Sequence, residues 1–300
     1  MDTKNFDVIY EKLYENVGKE VEAKITKKRN NLIKICIMLI LLIIIANIVG
    51  DIEILGLCII VGCLIIIFSL FKIEELKLRM YREDIIKNLV KFCNMNLNYD
   101  YNSGIKEIDY ISSNIPGKYD VFQSKDYIYG KIQKNVDLEI SYINTYKKEK
   151  HIEDGKEVIE KIETFKGVFG IANINKNIKA EVIIDLNDFK RKYNLNKVEI
   201  DSIEFEKNFD CFSDNKIVAL QVLTPNVLEQ MNKLSEIFKK TMQIRISNNK
   251  IFYRIYLDDI FLPHRFKKIL EKNRLKMIYE LIYNSEMLIE SIVESINESF

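Results

Sequence analysis

Two long apolar runs near the start of the chain constrain its fold more than any other feature. They cover residues 32–49 and 54–71, and residues 50–53 separate them. Each run has 18 residues and as a helix would span about 27 Å, close to the roughly 30 Å hydrocarbon core of a bilayer. The first run has one charge, Lys34, near its end, where the amine can reach the interface; the second has none. The remaining chain is too small to bury two such helices, so the runs predict a transmembrane hairpin.

The positive charges beside the two runs predict their orientation. An excess of Lys and Arg marks the cytoplasmic side of a membrane segment, and the turn between the runs contains only the acidic residues Asp51 and Glu53. The protein is therefore expected in the inner or plasma membrane, with both termini in the cytoplasm and the turn between the runs outside. The flanking cations are Lys24, Lys27, Lys28 and Arg29 before the first run, and Lys72, Lys77, Arg79 and Arg82 after the second.

A cleaved signal peptide is the competing interpretation of the first run. The polar stretch of about 30 residues before it is longer than a signal n-region, and no small-x-small cleavage site follows it. We therefore expect the first run to remain in the protein as a membrane span.

Composition excludes two further classes of protein. The formal net charge of +1 provides no overall attraction for nucleic acid, so no nucleic-acid partner is predicted. The five cysteines form no disulfide framework, which agrees with a reducing compartment. They are Cys36, Cys58 and Cys63 within the runs, and Cys93 and Cys211 beyond them.

Apolar residues at helical spacing continue on both sides of the hairpin. Steps of three and four residues predict a helix over residues 5–28 and another over residues 78–92, packed together as an antiparallel pair. A peripheral amphipathic helix is the alternative for residues 5–28, but its mixed Glu and Lys face disfavours lipid binding. The two stripes are Phe6, Ile9, Leu13, Val17, Val21 and Ile25, then Leu78, Tyr81, Ile85, Leu89 and Phe92.

From about residue 97 the pattern changes to alternation, which predicts half-buried strands. Strands are expected at 127–133, 136–144, 157–165 and 178–185, with a charged hairpin turn over 147–156. A second block is expected at 216–223, 242–247 and 250–257. Asn248-Asn249 predicts a tight hairpin between the last two strands, because Asn tolerates positive φ.

Two helices complete the predicted domain. Thr224 as N-cap and Pro225 at the first position predict a helix to about Lys240, whose stripe Val227, Met231, Leu234 and Phe238 would lie on the sheet. A long helix is predicted from Pro263 to Glu298. The predicted fold class is α+β: a transmembrane hairpin with flanking helices (residues 1–96), then a cytoplasmic domain (residues 97–300) with a mostly antiparallel sheet and a long C-terminal helix.

Distinctive motifs occur between residues 164 and 264. They read FKGVF (165–169), VEIDSIEFEKNFD (198–210), CFSDNKIVA (211–219) and LTP (223–225). These motifs resemble the bacterial family catalogued as domain of unknown function 3137, although Ile200-Asp201-Ser202 and Asn215 depart from its usual residues. The resemblance implies an N-terminal transmembrane pair, one cytoplasmic domain and a closing helix, and it implies no activity.

The residues of these motifs are interpreted as structural. Phe205 and Phe209 are four residues apart and are expected to be buried together, while Ser213-Asp214-Asn215 is expected to form a turn or a cap. Gly167 is expected to allow a close approach or an unusual φ between two strands.

Catalytic, metal and cofactor signals are weak. Ser213, Asp259 and His264 make a triad on paper, but no nucleophile-elbow motif supports it, and His151 lies in a charged segment. His and Cys lack metal-ligand spacing, and residues 167–170 have too few glycines for a phosphate-binding loop. No catalytic, cofactor or metal residues are therefore assigned. The basic runs at 190–192 and 265–268 are interpreted as solvated faces, with head-group contact as a minority role for the second.

The sequence therefore favours a membrane-anchored binding or scaffold module. What the module binds is left open between a protein partner, a lipid head group and a small ligand. Its partners would be the lipid bilayer and either another protein or a second copy. The alternative from another class is a membrane-tethered hydrolase with an unrecognised site. A small channel formed by the hairpin is a third possibility, which the lack of acids and histidines inside the runs disfavours.

Overall fold

The computed structural model describes residues 6–49, 52–115, 117–153, 156–186, 193–238, 242–264 and 268–299. The chain divides into two units, one formed by residues 1–89 with 261–275 and the other by residues 90–260 with 276–300. Helices dominate the first unit and a sheet the second, so the predicted α+β class is confirmed.

Helices occupy nearly all of the chain up to Cys93. Two of them are long and apolar enough to cross a membrane, and they face each other through Leu39 and Gly62, whose missing side chain leaves room for the leucine. The helical segments are α1 (Phe6–Leu13), a π-helical turn (Tyr14–Gly18), α2 (Lys19–Val49), α3 (Ile52–Met80), a second π-helical turn (Tyr81–Ile86) and α4 (Lys87–Cys93).

The predicted apolar stripes beside the long helices are largely buried. Phe6, Ile9 and Leu13 have little exposure, as have Ile85 and Leu89 on the other helix. The first stripe shifts by one position at its π-helical turn, where Gly18 is buried in place of the predicted Val17. A π-helical turn contains one extra residue, which moves the buried face relative to a regular 3.6-residue repeat.

The second unit contains one sheet of seven strands, and every described pairing in it is antiparallel. The strand order is β1-β2-β3-β4-β6-β5, with β7 also paired to β4. The strands are β1 (Leu97–Asp100), β2 (Val121–Ile132), β3 (Val136–Glu153), β4 (Lys156–Leu186), β5 (Asn196–Val198), β6 (Phe209–Ser213) and β7 (Met242–Tyr256).

The long strand β4 joins the two halves of the sheet. Residues 167–173 pair with β3 on one side and β7 on the other, and residues 182–184 pair with β6 on one side and β7 on the other. The strands predicted at 157–165 and 178–185 are therefore parts of one strand. Most of the predicted charged turn at 147–156 is also strand, and residues 154–155 lie outside the described residues.

Short helices and the C-terminal helix complete this unit. They are α5 (Glu107–Ser112), α6 (Ile203–Asn208), α7 (Lys216–Val222), α8 (Pro225–Phe238) and α9 (Lys272–Ser299), with a 3-10 turn at Gln133–Asn135. The predicted helix after Thr224 is confirmed as α8, and all four residues of its predicted stripe are buried.

Two of the predicted elements are wrong, and the predicted start of the C-terminal helix is wrong. Residues 216–222 form helix α7 and not a strand, because Asn215 caps it and Val218, Ala219 and Val222 are buried at helical spacing. The predicted hairpin at Asn248-Asn249 is absent from the structure, since β7 continues through both residues. Asn248 does adopt positive φ (57°), but it does so within the strand, where the pairing with β4 shifts register. The C-terminal helix begins at Lys272 and not at Pro263; Phe266 lies outside the described residues.

One face of the sheet carries an aromatic core supplied partly by α5. Tyr110 of α5 packs edge-on against Phe169 at 4.9 Å and lies near Phe165 of the same strand. Arg254 of β7 lies over Phe165 and Tyr256, with its guanidinium carbon 5.2 Å from each ring centroid. The buried cluster comprises Ile105, Tyr110, Ile115, Ile143, Phe165, Phe169, Ile171 and Phe252.

Candidate functional site

Each residue of the hypothetical catalytic triad, Ser213, Asp259 and His264, contacts other groups. Ser213 Oγ donates to the carbonyl oxygen of Glu181 at 2.7 Å, and Asp259 pairs with Lys125 at 2.5 Å. The ring of His264 lies 3.5 Å from the carboxylate of Glu271. The contacts given for these three residues are therefore with other groups and not with one another.

Metal ligands are likewise not gathered together. In the part of the chain that the structure describes, no group of three or more His, Cys, Asp or Glu side chains could hold a metal ion. The basic run at 190–192 lies outside the described residues, as do residues 265–267 of the other run.

The family-like motifs form the packing around the β4–β6 pair. Phe205 and Phe209 are buried with ring centroids 5.5 Å apart, which confirms the predicted burial. Asn215 is the cap within the predicted turn cluster, because its Oδ1 accepts from the backbone N–H groups of Ile217 and Val218. Asp214, predicted as a cap, instead accepts from the N–H of Glu181 on β4 at 2.9 Å.

Gly167 and Gly170 allow β7 to approach β4 closely. A Cβ atom at Gly167 would lie 2.0 Å from the carbonyl oxygen of Ile255, and one at Gly170 would lie 2.2 Å from the ring of Tyr253. The predicted close approach at Gly167 is therefore confirmed. Residues 167–170, considered above as a phosphate-binding loop, lie within strand β4 and do not form a loop.

A polar cluster beside the β2 bulge was not predicted. Asp126 is buried at φ 56° and accepts from the hydroxyl of Tyr99 at 2.5 Å. Next to it, Lys125 binds Asp259 and lies over the ring of Tyr142, 5.4 Å from its centroid. Because Asp259 already pairs with the amine, the cluster fixes the bulge to the end of β7 and does not present a reactive lysine.

The second unit contains a cleft between the start of α6 and one face of α8. It encloses about 420 Å³. We call it the acidic cleft, because four of its lining residues carry carboxylates and one carries an amine. Its lining comprises Asp201, Ser202, Glu204, Pro225, Leu228, Glu229, Asn232, Lys233 and Glu236.

Asn232 marks where a ligand would bind in the acidic cleft. Its side chain is nine-tenths buried, and its amide oxygen has no hydrogen-bond partner among the described residues. A buried acceptor without a donor is costly, so a donor placed in the cleft beside this oxygen would be stabilised. The single amine in the lining, Lys233, forms an exposed i,i+4 pair with Glu229 at 2.7 Å. The cleft is therefore suited to a group that is cationic and donates hydrogen bonds.

Sequence reasoning missed this cleft although part of its signal was present. Glu229, Asn232 and Glu236 recur on one face of α8, but this spacing also occurs on ordinary solvated helix faces. What distinguishes the cleft is the wall formed by Asp201 and Glu204, and no local pattern in the sequence brings those residues to α8.

Comparisons with known proteins find a matching family model for the C-terminal part of the chain. Residues 163–297 match the family model described as Protein of unknown function (DUF3137), which confirms the predicted resemblance over this segment. No curated protein matches the chain. Among solved structures, the chain is similar to the crystal structure of the mycobacterial trehalose monomycolate transport factor A, TtfA, at 10% sequence identity and a TM-score of 0.34. That similarity covers 70% of this chain and 93% of the other.

Proposed function

We propose that this protein is a membrane-anchored binding module, with the apolar parts of α2 and α3 as its two spans. The observation that carries the proposal is their exposure: only 6% of the most apolar 18-residue window of each helix is buried within the protein. A core helix would be mostly buried, and apolar surface of this extent requires a nonpolar environment.

The proposed orientation places both termini in the cytoplasm and the turn at residues 50–53 outside. It is supported by the cations at the ends of the two spans that lie away from the turn, and by the acids within the turn. In this arrangement residues 1–96 are the anchor with its flanking helices, and residues 97–300 are the cytoplasmic domain.

Cysteine labelling in intact cells tests the anchor and its orientation together. In a variant whose five cysteines are replaced by serine or alanine, Glu53→Cys should react with a membrane-impermeant maleimide. Glu11→Cys and Ser299→Cys should react only after the cells are opened. Labelling of all three positions in intact cells, or the reverse pattern, would contradict the proposal.

The ligand of the module is proposed to be a protein segment that carries Arg or Lys and occupies the acidic cleft. The cluster of carboxylates favours a cation, and the amide oxygen of Asn232, an acceptor with no partner among the described residues, favours a group that donates hydrogen bonds, as guanidinium and ammonium groups do. Such contacts give selectivity for charge and a rate of association that depends on salt.

Binding of a labelled tetra-arginine peptide to the full chain in lipid nanodiscs tests this assignment. The double variant Glu229→Gln with Glu236→Gln should bind about tenfold more weakly, which corresponds to ~1.4 kcal/mol. Asn232→Leu should also weaken binding, whereas Glu298→Gln, an exposed change outside the cleft, should not. Equal affinity of the double variant and the Glu298→Gln control would show that the peptide binds elsewhere or only nonspecifically.

The hydrolase alternative is not adopted. Its best nucleophile, Ser213, donates to a backbone carbonyl, and the carboxylate of Asp259 holds a lysine. These two contacts do not favour the Ser213 triad, so the binding function is proposed instead.

A further inference from the structure

The hairpin formed by the last part of β3 and the first part of β4 lies beyond the rest of the sheet. Residues 147–153 and 156–162 pair only with each other among the described strands, since β2 reaches β3 no further than Tyr146 and β7 reaches β4 no further than Gly167. We call this segment the β-arm. An isolated two-stranded hairpin is only marginally stable in water, and its unpaired edge is a template for another strand.

The β-arm combines exposed apolar residues with unfavourable charge pairs. Ile152 and Ile159 are 80% and 54% exposed. Lys148 lies directly opposite Lys161, and Glu149 lies directly opposite Glu160, and like charges in such positions are destabilising. A third strand that covers the isoleucines and brings opposite charges to these pairs would relieve both defects.

We propose that the β4 edge of the β-arm pairs antiparallel with the same edge of a second copy of this chain. The open edge of β4 ends where its pairing with β7 starts, since the N–H of Leu257, which follows β7, donates to the carbonyl of Lys166 at 3.2 Å. Two copies of residues 156–162 fit on this edge without reaching Lys166. The edge contains no proline and no glycine that would prevent pairing.

Symmetry, charge and the exposure of Ile159 together favour one register. In an antiparallel pair with a twofold axis, directly opposed residues lie on the same face of the sheet, so the axis must pass beside a single residue. With the axis at Ile159, the two exposed isoleucines contact each other, and Glu157 of each copy lies opposite Lys161 of the other. The carboxylate of Glu157 from the second copy then lies beside the Lys148–Lys161 pair and offsets the repulsion between the two amines. Axes at Glu160 or Lys161 would place like charges opposite each other, and an axis at the half-buried Val158 would not bring the two exposed isoleucines opposite each other.

The chemistry of this surface favours a second copy over an unrelated partner. The same strand supplies both members of each favourable contact, the isoleucine with itself and the acid with the base. Glu157 forms only an exposed pair with Lys150, at 2.5 Å, within its own arm. Such surface pairs are weak, so Glu157 is able to contact Lys161 of the second copy.

Cross-linking of single-cysteine variants tests the register in the full chain in native membranes. In the cysteine-free background, Ile159→Cys should form a disulfide-linked dimer on mild oxidation, because opposed Cα atoms lie about 4.5–5.5 Å apart, within disulfide range. Ile162→Cys is the matched control. It lies on the same strand, but in this register it would be roughly 20 Å from its own copy.

Charge-swap variants test the association independently of oxidation. Ile159→Lys and Ile159→Glu should each lose co-purification of differently tagged copies, and co-expression of the two variants should restore it. Dimers from both cysteine variants, or from neither, would overturn the register. Co-purification that persists in each charge variant alone, or capture of only other proteins or lipid by the β-arm, would overturn self-pairing.

Discussion

Phe205 and Phe209 show how two residues of the family-like motif stabilise the fold. Phe205 lies in α6, Phe209 begins β6, and both rings are buried against each other. The N-terminus of α6 is fixed by Ser202, whose side-chain oxygen accepts from the N–H of Phe205. The motif therefore forms the corner between a helix and a strand, and its aromatic residues are part of the core.

Replacement of either ring should destabilise the protein strongly. We expect Phe205→Ala and Phe209→Ala each to lower the free energy of unfolding by about 3–5 kcal/mol, the usual range for such changes in a core. Ile203→Ala, two residues before Phe205 and 92% exposed, should change it by less than about 0.5 kcal/mol. Denaturant melts followed by near-ultraviolet circular dichroism measure these values. Wild-type midpoints for the phenylalanine variants would instead assign the rings to a contact surface.

Buried thiol and phenol groups make the protein sensitive to alkali. Burial raises the pKa of the Cys211 thiol from 9.0 to about 12, and it raises the pKa of Tyr119 and Tyr279 from 10.0 to about 12. Above pH 9 the unfolded chain loses these protons while the folded protein keeps them. Since the unfolded state then binds fewer protons, the free energy of unfolding falls as the pH rises from about 9 to about 12.

Urea melts at about pH 8 and pH 10.5 test this dependence. The midpoint should be lower at the higher pH, and Cys211→Ser should reduce the difference because it removes one of the titrating groups. An equal midpoint at both values would mean that these groups ionise without unfolding.

At the scale of whole elements, the sequence predicted the buried faces better than the boundaries. The alternation in β3 and β4 and the stripe of α8 reflect burial that is decided locally by side-chain spacing. Helix α7 was missed because apolar residues at 217, 218 and 220 also fit a strand, and the decisive feature is the cap at Asn215. Asn248 was correctly expected at positive φ, but only the pairing with β4 decides between a turn and a bulge. The acidic cleft depends on tertiary packing in the same way.

Asn215 gives a test of α7 as an element. Its Oδ1 accepts from two N–H groups at the first turn of a helix of seven residues, so Asn215→Ala should cost about 1 kcal/mol, as other caps do. Asn215→Asp preserves the acceptor and should recover most of the loss in the same urea melt. A loss that Asn215→Asp does not recover would point to a role for the amide nitrogen and not to capping.

At the scale of the whole molecule, the segment 261–275 belongs with the N-terminal helices. The hydroxyl of Tyr10 donates to the carbonyl of Leu270 at 3.1 Å, and the amine of Lys77 donates to the carbonyl of His264 at 2.7 Å. Lys272 also pairs with Asp7 at 2.7 Å. Because Lys77 is largely buried, its pKa is lowered, mainly by desolvation. The sequence gives no sign of these contacts, since they join residues nearly 200 or more positions apart.

These contacts refine what the isolated domain of residues 97–300 should do. Its sheet and aromatic core contain their own strands and helices, so we expect cooperative unfolding and a near-ultraviolet tyrosine signal like that of the full chain. Residues 261–271, which lose Tyr10 and Lys77 as partners, should become sensitive to limited proteolysis, whereas they should resist in the full chain in detergent. If the truncated domain has no cooperative transition, the N-terminal helices are part of its core. If residues 261–271 resist cleavage in both, these contacts do not order the segment, and the predicted boundary at residue 97 encloses a complete folding unit.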